Sequence, residues 1–178
     1  MAVVSVLLLT GAPGIGKTTV IGRVAERLKG RKLGGFYTQE IREGGERRGF
    51  QLVGFEGTER VIAHIGFPKT HRVGKYGVDV GAIDEATELL ADDPAVQVYL
   101  VDKIGKMECL SERFVAAMRA LLIGPKPVVA TIALRGSGFI AEAKRTEGAA
   151  VWEVTLANRD LLPSRGLRWL EAEVQPET

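Results

Sequence analysis

The sequence predicts an α/β three-layer sandwich on a mainly parallel sheet, carrying an antiparallel β insertion. Three observations support this. Continuous apolar runs of strand length alternate with helically spaced apolar residues, the pattern of buried strands covered by helices. A glycine-rich turn joins the first run to the first helical stretch. Between residues 34 and 67 the pattern changes to short β-favouring runs separated by glycine turns.

Val3 to Leu9 is uninterruptedly apolar and ends at Thr10 and Gly11, as expected for a strand buried on both faces. After Lys17, residues Val20, Ile21, Val24, Ala25 and Leu28 recur at helical spacing, and Gly30 supplies a stop. Phe36-Tyr37-Thr38, Phe50 to Val53 and Val61-Ile62-Ala63 make the insertion over 34–67, with turns at Gly44-Gly45 and Gly57-Thr58. Gly66 to Tyr76 reads as a surface loop. A helix over Val80 to Leu90 ends at Asp92-Asp93-Pro94, and Ala95 to Val101 is a second buried strand followed by Asp102. Leu110, Phe114, Val115, Met118, Leu121 and Leu122 mark a helix closed by Gly124-Pro125. Pro127 to Leu134 is a third strand, Phe139 to Arg145 a short helix and Ala149 to Leu156 a fourth strand. The last helix is expected from about Asn158, with Pro163 breaking or kinking it.

With 178 residues, 46% hydrophobic and 26% charged, the chain reads as one globular domain over 1–178. That composition excludes a disordered, collagen-like or disulfide-scaffold protein. Its 24 Lys and Arg against 22 Asp and Glu leave a net charge of +2, too near balance for a nucleic-acid coat or a polybasic membrane anchor. Affinity for phosphate must therefore come from a local site. Cys109 has no partner for an internal disulfide, and the N-terminal run lacks the basic flank of a signal peptide, so a reducing cytoplasm is expected. No stretch is long enough to span a bilayer, and the oligomeric state stays open.

Gly11-Ala12-Pro13-Gly14-Ile15-Gly16-Lys17-Thr18 fits the phosphate-loop (P-loop) pattern G-x-x-x-x-G-K-[ST], the Walker A motif, at every position. The chain's composition allows on the order of 0.01 chance matches, even before the flanking strand and helix are required. Glycines let successive N–H groups turn toward a β-phosphate, and the following helix presents its positive end. Lys17 adds a cation that bridges β- and γ-phosphates, Thr18 can place its hydroxyl on Mg²⁺, and Thr19 continues the binding segment. Asp102, ending an apolar run, has the position of a Walker B aspartate, the second candidate Mg²⁺ ligand. Thr131, in the neighbouring strand candidate, is placed to meet the γ-phosphate or the attacking water, and Glu108, six residues past Asp102, is a further candidate to reach that water.

Other residues admit two readings. Arg42, Arg47 and Arg48 either clamp phosphate or solvate a hairpin, and the hairpin reading is preferred. Arg135 and Arg159 are able to neutralise charge on a γ-phosphoryl group or to cap helices. Tyr76 and Asp79 either line a nucleotide pocket or, for Asp79, cap a helix. His64 and His71 lack companions at metal-ligand spacing, and Trp152 and Trp169 read as packing residues.

Several blocks together resemble the small nucleoside-triphosphatase family that includes thermophilic and cancer-related members. They are Gly11 to Thr19, Gly35-Phe36-Tyr37-Thr38-Gln39-Glu40 through Arg42 and Arg48-Gly49-Phe50, Val73-Gly74-Lys75-Tyr76-Gly77-Val78-Asp79, Val101-Asp102-Lys103-Ile104-Gly105-Lys106-Met107-Glu108, Ala130-Thr131-Ile132 and Asn158-Arg159. The resemblance implies a RecA-like α/β fold and slow, Mg²⁺-dependent hydrolysis of ATP, GTP and other nucleoside triphosphates to diphosphate and phosphate. It also implies a second motif of Asp-Glu-Ile-Gly-Lys-Met-Glu, in which this chain carries Lys103 at the glutamate expected to activate water; Gln39 and Cys109 are milder departures. On an extended strand Asp102 and Lys103 should face opposite sides. A kinase using the same loop, and a nucleotide switch without efficient turnover, are the competing functions.

Overall fold

The computed structural model describes residues 5–174. The first apolar run forms strand β1, Val6–Thr10, with all five residues buried; residues 3 and 4 of the expected strand lie outside the described residues. Helix α1, Lys17–Arg27, follows the phosphate loop and turns Val20, Ile21 and Val24 inward. Strands β2 (Leu33–Glu43), β3 (Glu46–Gly54), β4 (Glu59–His64), β5 (Arg72–Val73) and β6 (Tyr76–Val78) come next. After helix α2, Val80–Ala86, and a 3₁₀ turn over Thr87–Leu90, strand β7 runs Val98–Ile104. The chain continues through α3 (Glu112–Leu122), β8 (Val128–Ile132), α4 (Phe139–Lys144), β9 (Ala150–Glu153) and α5 (Leu162–Val174).

One nine-stranded sheet has the order β5-β6-β4-β3-β2-β7-β8-β1-β9. Strands β2, β7, β8, β1 and β9 are parallel, whereas β3, β4, β6 and β5 extend the sheet by antiparallel pairing. The sheet is thus evenly mixed rather than mainly parallel, because the insertion joins the same sheet. Its boundary also moves: Leu33 to Phe36 pair with Val98 to Val101 as part of the parallel core, and the same strand then continues as the first insertion strand. Glycine makes this seam possible. A Cβ on Gly35, at φ +92°, would lie 2.0 Å from the Leu100 carbonyl oxygen.

Alternation along the strands supplies both faces of the sandwich. Leu7, Leu9, Val98 and Leu100 pack with Val20, Ile21 and Val24 of α1 and with Leu162 and Leu170 of α5. Leu8, Tyr99 and Val101 point the other way, toward Ile83, Phe114, Met118 and Ile140 from α2, α3 and α4. Trp152 and Trp169 pack at the margin of the first of these cores, as expected.

Three expectations need correction. The Gly66 to Tyr76 loop ends in the β5–β6 hairpin, whose two-residue pairing is too short to leave an alternating pattern. Strand β7 continues past Val101 through Asp102 to Ile104, since a polar residue buried by hydrogen bonds does not end a strand. Pro163 neither breaks nor kinks the last helix: α5 begins at Leu162, and in a first turn the missing N–H has no helical acceptor to lose. The Asp102–Lys103 peptide is cis.

Candidate active site

The site forms where parallel strands β1, β7, β8 and β9 end on one edge of the sheet. Leaving β1, the segment from Gly11 to Gly16 turns into α1 with Gly14 and Gly16 at φ +76° and +116°, a conformation that aims backbone N–H groups into the loop. Lys17 folds back over this loop: its Nζ donates to the carbonyls of Gly11 at 2.6 Å and Ala12 at 3.1 Å. Its pKa is held below the ordinary lysine value by burial and then by the charge of Lys103, while Asp102 pulls the other way.

Asp102 is the hub. Only 2% exposed, it accepts hydrogen bonds from Thr18 Oγ1 (2.9 Å) and Thr131 Oγ1 (2.7 Å), one on each carboxylate oxygen. The Thr38 N–H also reaches Oδ2 at 3.3 Å, and the Thr38 hydroxyl donates to the Asp102 carbonyl at 2.6 Å. The first helical turn of α1 and strands β2, β7 and β8 therefore converge on one carboxylate. Thr38 was not singled out from sequence; its only signal there is its place at the end of the Gly-Phe-Tyr-Thr block. Thr18, Thr131 and Asp102 present hard oxygen donors, which suit Mg²⁺. Among the described residues no group of three or more His, Cys, Asp or Glu gathers to hold a metal, so phosphate oxygens and water would complete such an ion's shell.

Lys103 departs from simple alternation. The β7–β8 register slips between Val101 and Ile104, and both Asp102 and Lys103 act on Lys17. Half-buried, Lys103 has its ammonium 5.9 Å from the Phe50 ring centre and makes no ion pair among the described residues. Its stem passes over Gly105: a Cβ there would meet Lys103 Cε at 3.2 Å and Glu108 Oε2 at 3.0 Å.

Glu108 is fully buried, and neither carboxylate oxygen has a hydrogen-bond partner among the described residues. Burial pushes its pKa up to about 7, with Asp102 adding to the rise and Lys103 and the nearby N–H groups of Glu108 and Gly105 opposing it. The sign of the resulting linkage is fixed. Below about pH 4.5 the group is protonated folded or unfolded; between there and about pH 7 the unfolded chain loses the proton first, so stability falls as pH rises. Glu108→Gln should therefore gain stability over the parent between pH 4.5 and pH 8, by up to about 3 kcal/mol without nucleotide, since each pKa unit is worth about 1.4 kcal/mol. Urea unfolding at the two pH values checks this, and a constant difference would mean that Glu108 is not desolvated.

The remaining candidates divide. Arg159 belongs to the site, donating from Nη1 to the Ile15 carbonyl at 3.3 Å. Arg42 and Arg47 pair with Glu40, and Arg48 lies beside Glu43 and Glu46, as a solvated hairpin requires. Asp79 caps α2 by accepting the Ala82 N–H at 3.0 Å, and Tyr76 packs against Phe50 and Arg47 on the outer strands. Arg135 is exposed beyond β8.

Comparison with known proteins turns this geometry into a kinship. A family model described as NTPase matches residues 6–166. The chain belongs to this NTPase family. It is 39% identical over 158 residues to "Nucleoside-triphosphatase THEP1" of Thermotoga petrophila, covering 88% of this chain and 87% of that protein. The crystal structure of THEP1 from the hyperthermophile Aquifex aeolicus matches with TM-score 0.84 at 36% identity, over 93% of this chain and 98% of that one. The solution structure of a human cancer-related nucleoside triphosphatase gives 0.82 at 33% identity, over 96% and 100%. Within the NTPase family this chain thus keeps the α/β architecture, including the antiparallel extension of the sheet.

Proposed function

We propose that this chain hydrolyses nucleoside triphosphates, ATP and GTP among them, to diphosphate and phosphate with the help of Mg²⁺, slowly and with little regard for the base. The observation that carries this reading is the convergence of Thr18 from the phosphate loop and Thr131 from β8 on the two oxygens of buried Asp102. In this reading the N–H groups of the loop hold the β-phosphate, and Lys17 leaves the Gly11 and Ala12 carbonyls to bridge two phosphates. A Mg²⁺ ion held by Thr18, Asp102 and the nucleotide would neutralise charge on the phosphoryl oxygens. Thr131 lies beside the γ-phosphate position and orients the attacking water. The relatives' names give nucleoside-triphosphatase activity for those proteins, and the shared fold supports its transfer to this one.

Slowness follows from Lys103. An ammonium accepts no proton from water, so general-base help worth about 10²–10⁴-fold is missing unless Glu108 supplies it. That same residue favours a second reading, a nucleotide-dependent switch. The β-hairpins after β2, where a nucleotide kinase usually has a helical acceptor segment, count against a kinase. No described helix is long and apolar enough to cross a membrane, and half-buried, unpaired Cys109 fits a reducing cytoplasm.

The test is phosphate release from ATP, GTP, CTP and UTP with and without Mg²⁺. Activity lost on chelation supports the reading; activity indifferent to metal sinks it. Affinities for the four should fall within about tenfold, or about 1.4 kcal/mol. A several-hundredfold preference for one would demand a dedicated base reader. Asp102→Asn, which keeps shape and removes charge, should raise the Mg²⁺ concentration for half-maximal turnover about tenfold. An unchanged Mg²⁺ titration would leave Asp102 with only its hydrogen-bonding role.

A further inference from the structure

Asp102 carries the candidate metal chemistry, yet the backbone that bears it lies where the sheet is interrupted. Strands β2 and β7 pair from Leu33 opposite Val98 as far as Phe36 opposite Val101. On the other side the β7–β8 register runs to Val101 opposite Ala130 and resumes only at Ile104 opposite Ile132. Neither neighbouring strand therefore gives Asp102 a register partner among the described residues. A strand side chain is normally placed by the ladder bonds of its own backbone, so another tie must place this one.

Thr38 stands where that ladder stops. Its hydroxyl donates to the Asp102 carbonyl at 2.6 Å, and its N–H reaches Asp102 Oδ2 at 3.3 Å. One residue thus holds both the main chain and the carboxylate of the aspartate. The other partners of the carboxylate have further duties in the triphosphate reading, Thr18 at Oδ2 as a candidate metal ligand and Thr131 at Oδ1 as a neighbour of the γ-phosphate. The two bonds of Thr38 act on Asp102 alone. As a β-branched residue Thr38 has few rotamers, which keeps its hydroxyl aimed. It is fixed in turn from the insertion side, where β2 pairs with β3 from Phe36 opposite Gly54 to Glu43 opposite Glu46.

We infer that Thr38 is a positioning residue, which holds the Asp102 carboxylate for Mg²⁺ by bonding its carbonyl where the ladder is interrupted, and through which the antiparallel insertion sets the metal affinity. The inference rests on the Mg²⁺-triphosphate reading above and names a residue that tunes it. Thr38 acts through Asp102 and is not itself a ligand. The phosphate loop does not depend on it, since the hydrogen bonds of Lys17 run to Gly11 and Ala12 within the loop.

Calorimetric titration with the non-hydrolysable β,γ-imido-ATP, in EDTA and in Mg²⁺, separates metal affinity from phosphate affinity without turnover. The parent should bind the analogue more tightly in Mg²⁺. In Thr38→Val, which keeps the shape and removes the donor, that gain should fall about fivefold, the scale of one neutral hydrogen bond, or vanish if the parental gain is smaller. Binding in EDTA should stay parental. Thr38→Ser, which keeps the hydroxyl, should retain most of the gain. If Thr38→Val does not fold, Thr38→Ala, which leaves room for water at the carbonyl, should show the same loss. A full Mg²⁺ gain without the hydroxyl, an equal weakening in EDTA and in Mg²⁺, or a loss that Thr38→Ser shares overturns the positioning role and leaves the Mg²⁺ reading standing. A parent indifferent to Mg²⁺ overturns both, and a parent that binds in neither condition overturns the phosphate site as well.

Discussion

Lys17→Ala is expected to weaken nucleoside-triphosphate binding by about 10²–10⁴-fold and to bring turnover to background, with the fold intact. The magnitude follows from the bonds removed: a hydrogen bond to a charged group is worth about 1.5–3 kcal/mol, and the ammonium is placed to make two, to different phosphates. Little compensates for the loss. Besides Lys17 the loop from Gly11 to Thr18 holds no charged side chain, so its N–H groups alone would face the phosphates. Stability should barely move, because the bonds given up are two half-exposed contacts to the Gly11 and Ala12 carbonyls. Removing the ammonium also ends its burial and its repulsion by Lys103, which hold Lys17 below its ordinary pKa. Calorimetry and phosphate release on a variant with parental circular dichroism and urea midpoint decide it; parental affinity would remove the phosphate-loop assignment.

Legibility from sequence tracked how local each feature is. The phosphate loop is one contiguous segment whose backbone needs glycine and whose chemistry needs Lys17 and Thr18, so residue order alone shows it. Parallel strands buried on both faces leave apolar runs, which is why β1, β7 and β8 were foreseeable. Asp102 is visible as the end of such a run, but its bonding to Thr18, Thr38 and Thr131, 84, 64 and 29 residues away, is tertiary, and Thr38 in particular carries no local mark. In sequence Gly34 and Gly35 look like the start of an insertion, whereas they allow β2 to press against β7, a tertiary contact that resembles a turn signal in one dimension. Burial of Glu108 was the least legible feature. A charged residue three positions from a glycine suggests solvent, and only the folded chain lays the carboxylate over Gly105 with no partner among the described residues.

Lys103→Glu is expected to raise kcat at least about tenfold, the low side of the 10²–10⁴ that a positioned base contributes. The parent's ammonium stands in the right neighbourhood for the wrong chemistry. Its charge acts on both Lys17 and Glu108, and no ion pair anchors it among the described residues. A carboxylate there would be able to take the proton of the attacking water, and it would change the electrostatics twice. Lys17 would face an anion in place of a cation, which favours its charged form. Glu108, losing the cation that opposes its raised pKa, would hold its proton more firmly and withdraw from base chemistry. Turnover should therefore rise while Glu108 becomes dispensable, so Lys103→Glu combined with Glu108→Gln should keep most of the gain. The parent gives the opposite control. If Glu108 already serves as the base, with its pKa near neutrality and its oxygens unpaired among the described residues, Glu108→Gln alone should collapse kcat and Lys103→Glu should leave kcat unchanged or lower it. Steady-state kinetics on the parent, both single variants and the double variant separate these outcomes, and the second pattern would move the base from position 103 to Glu108.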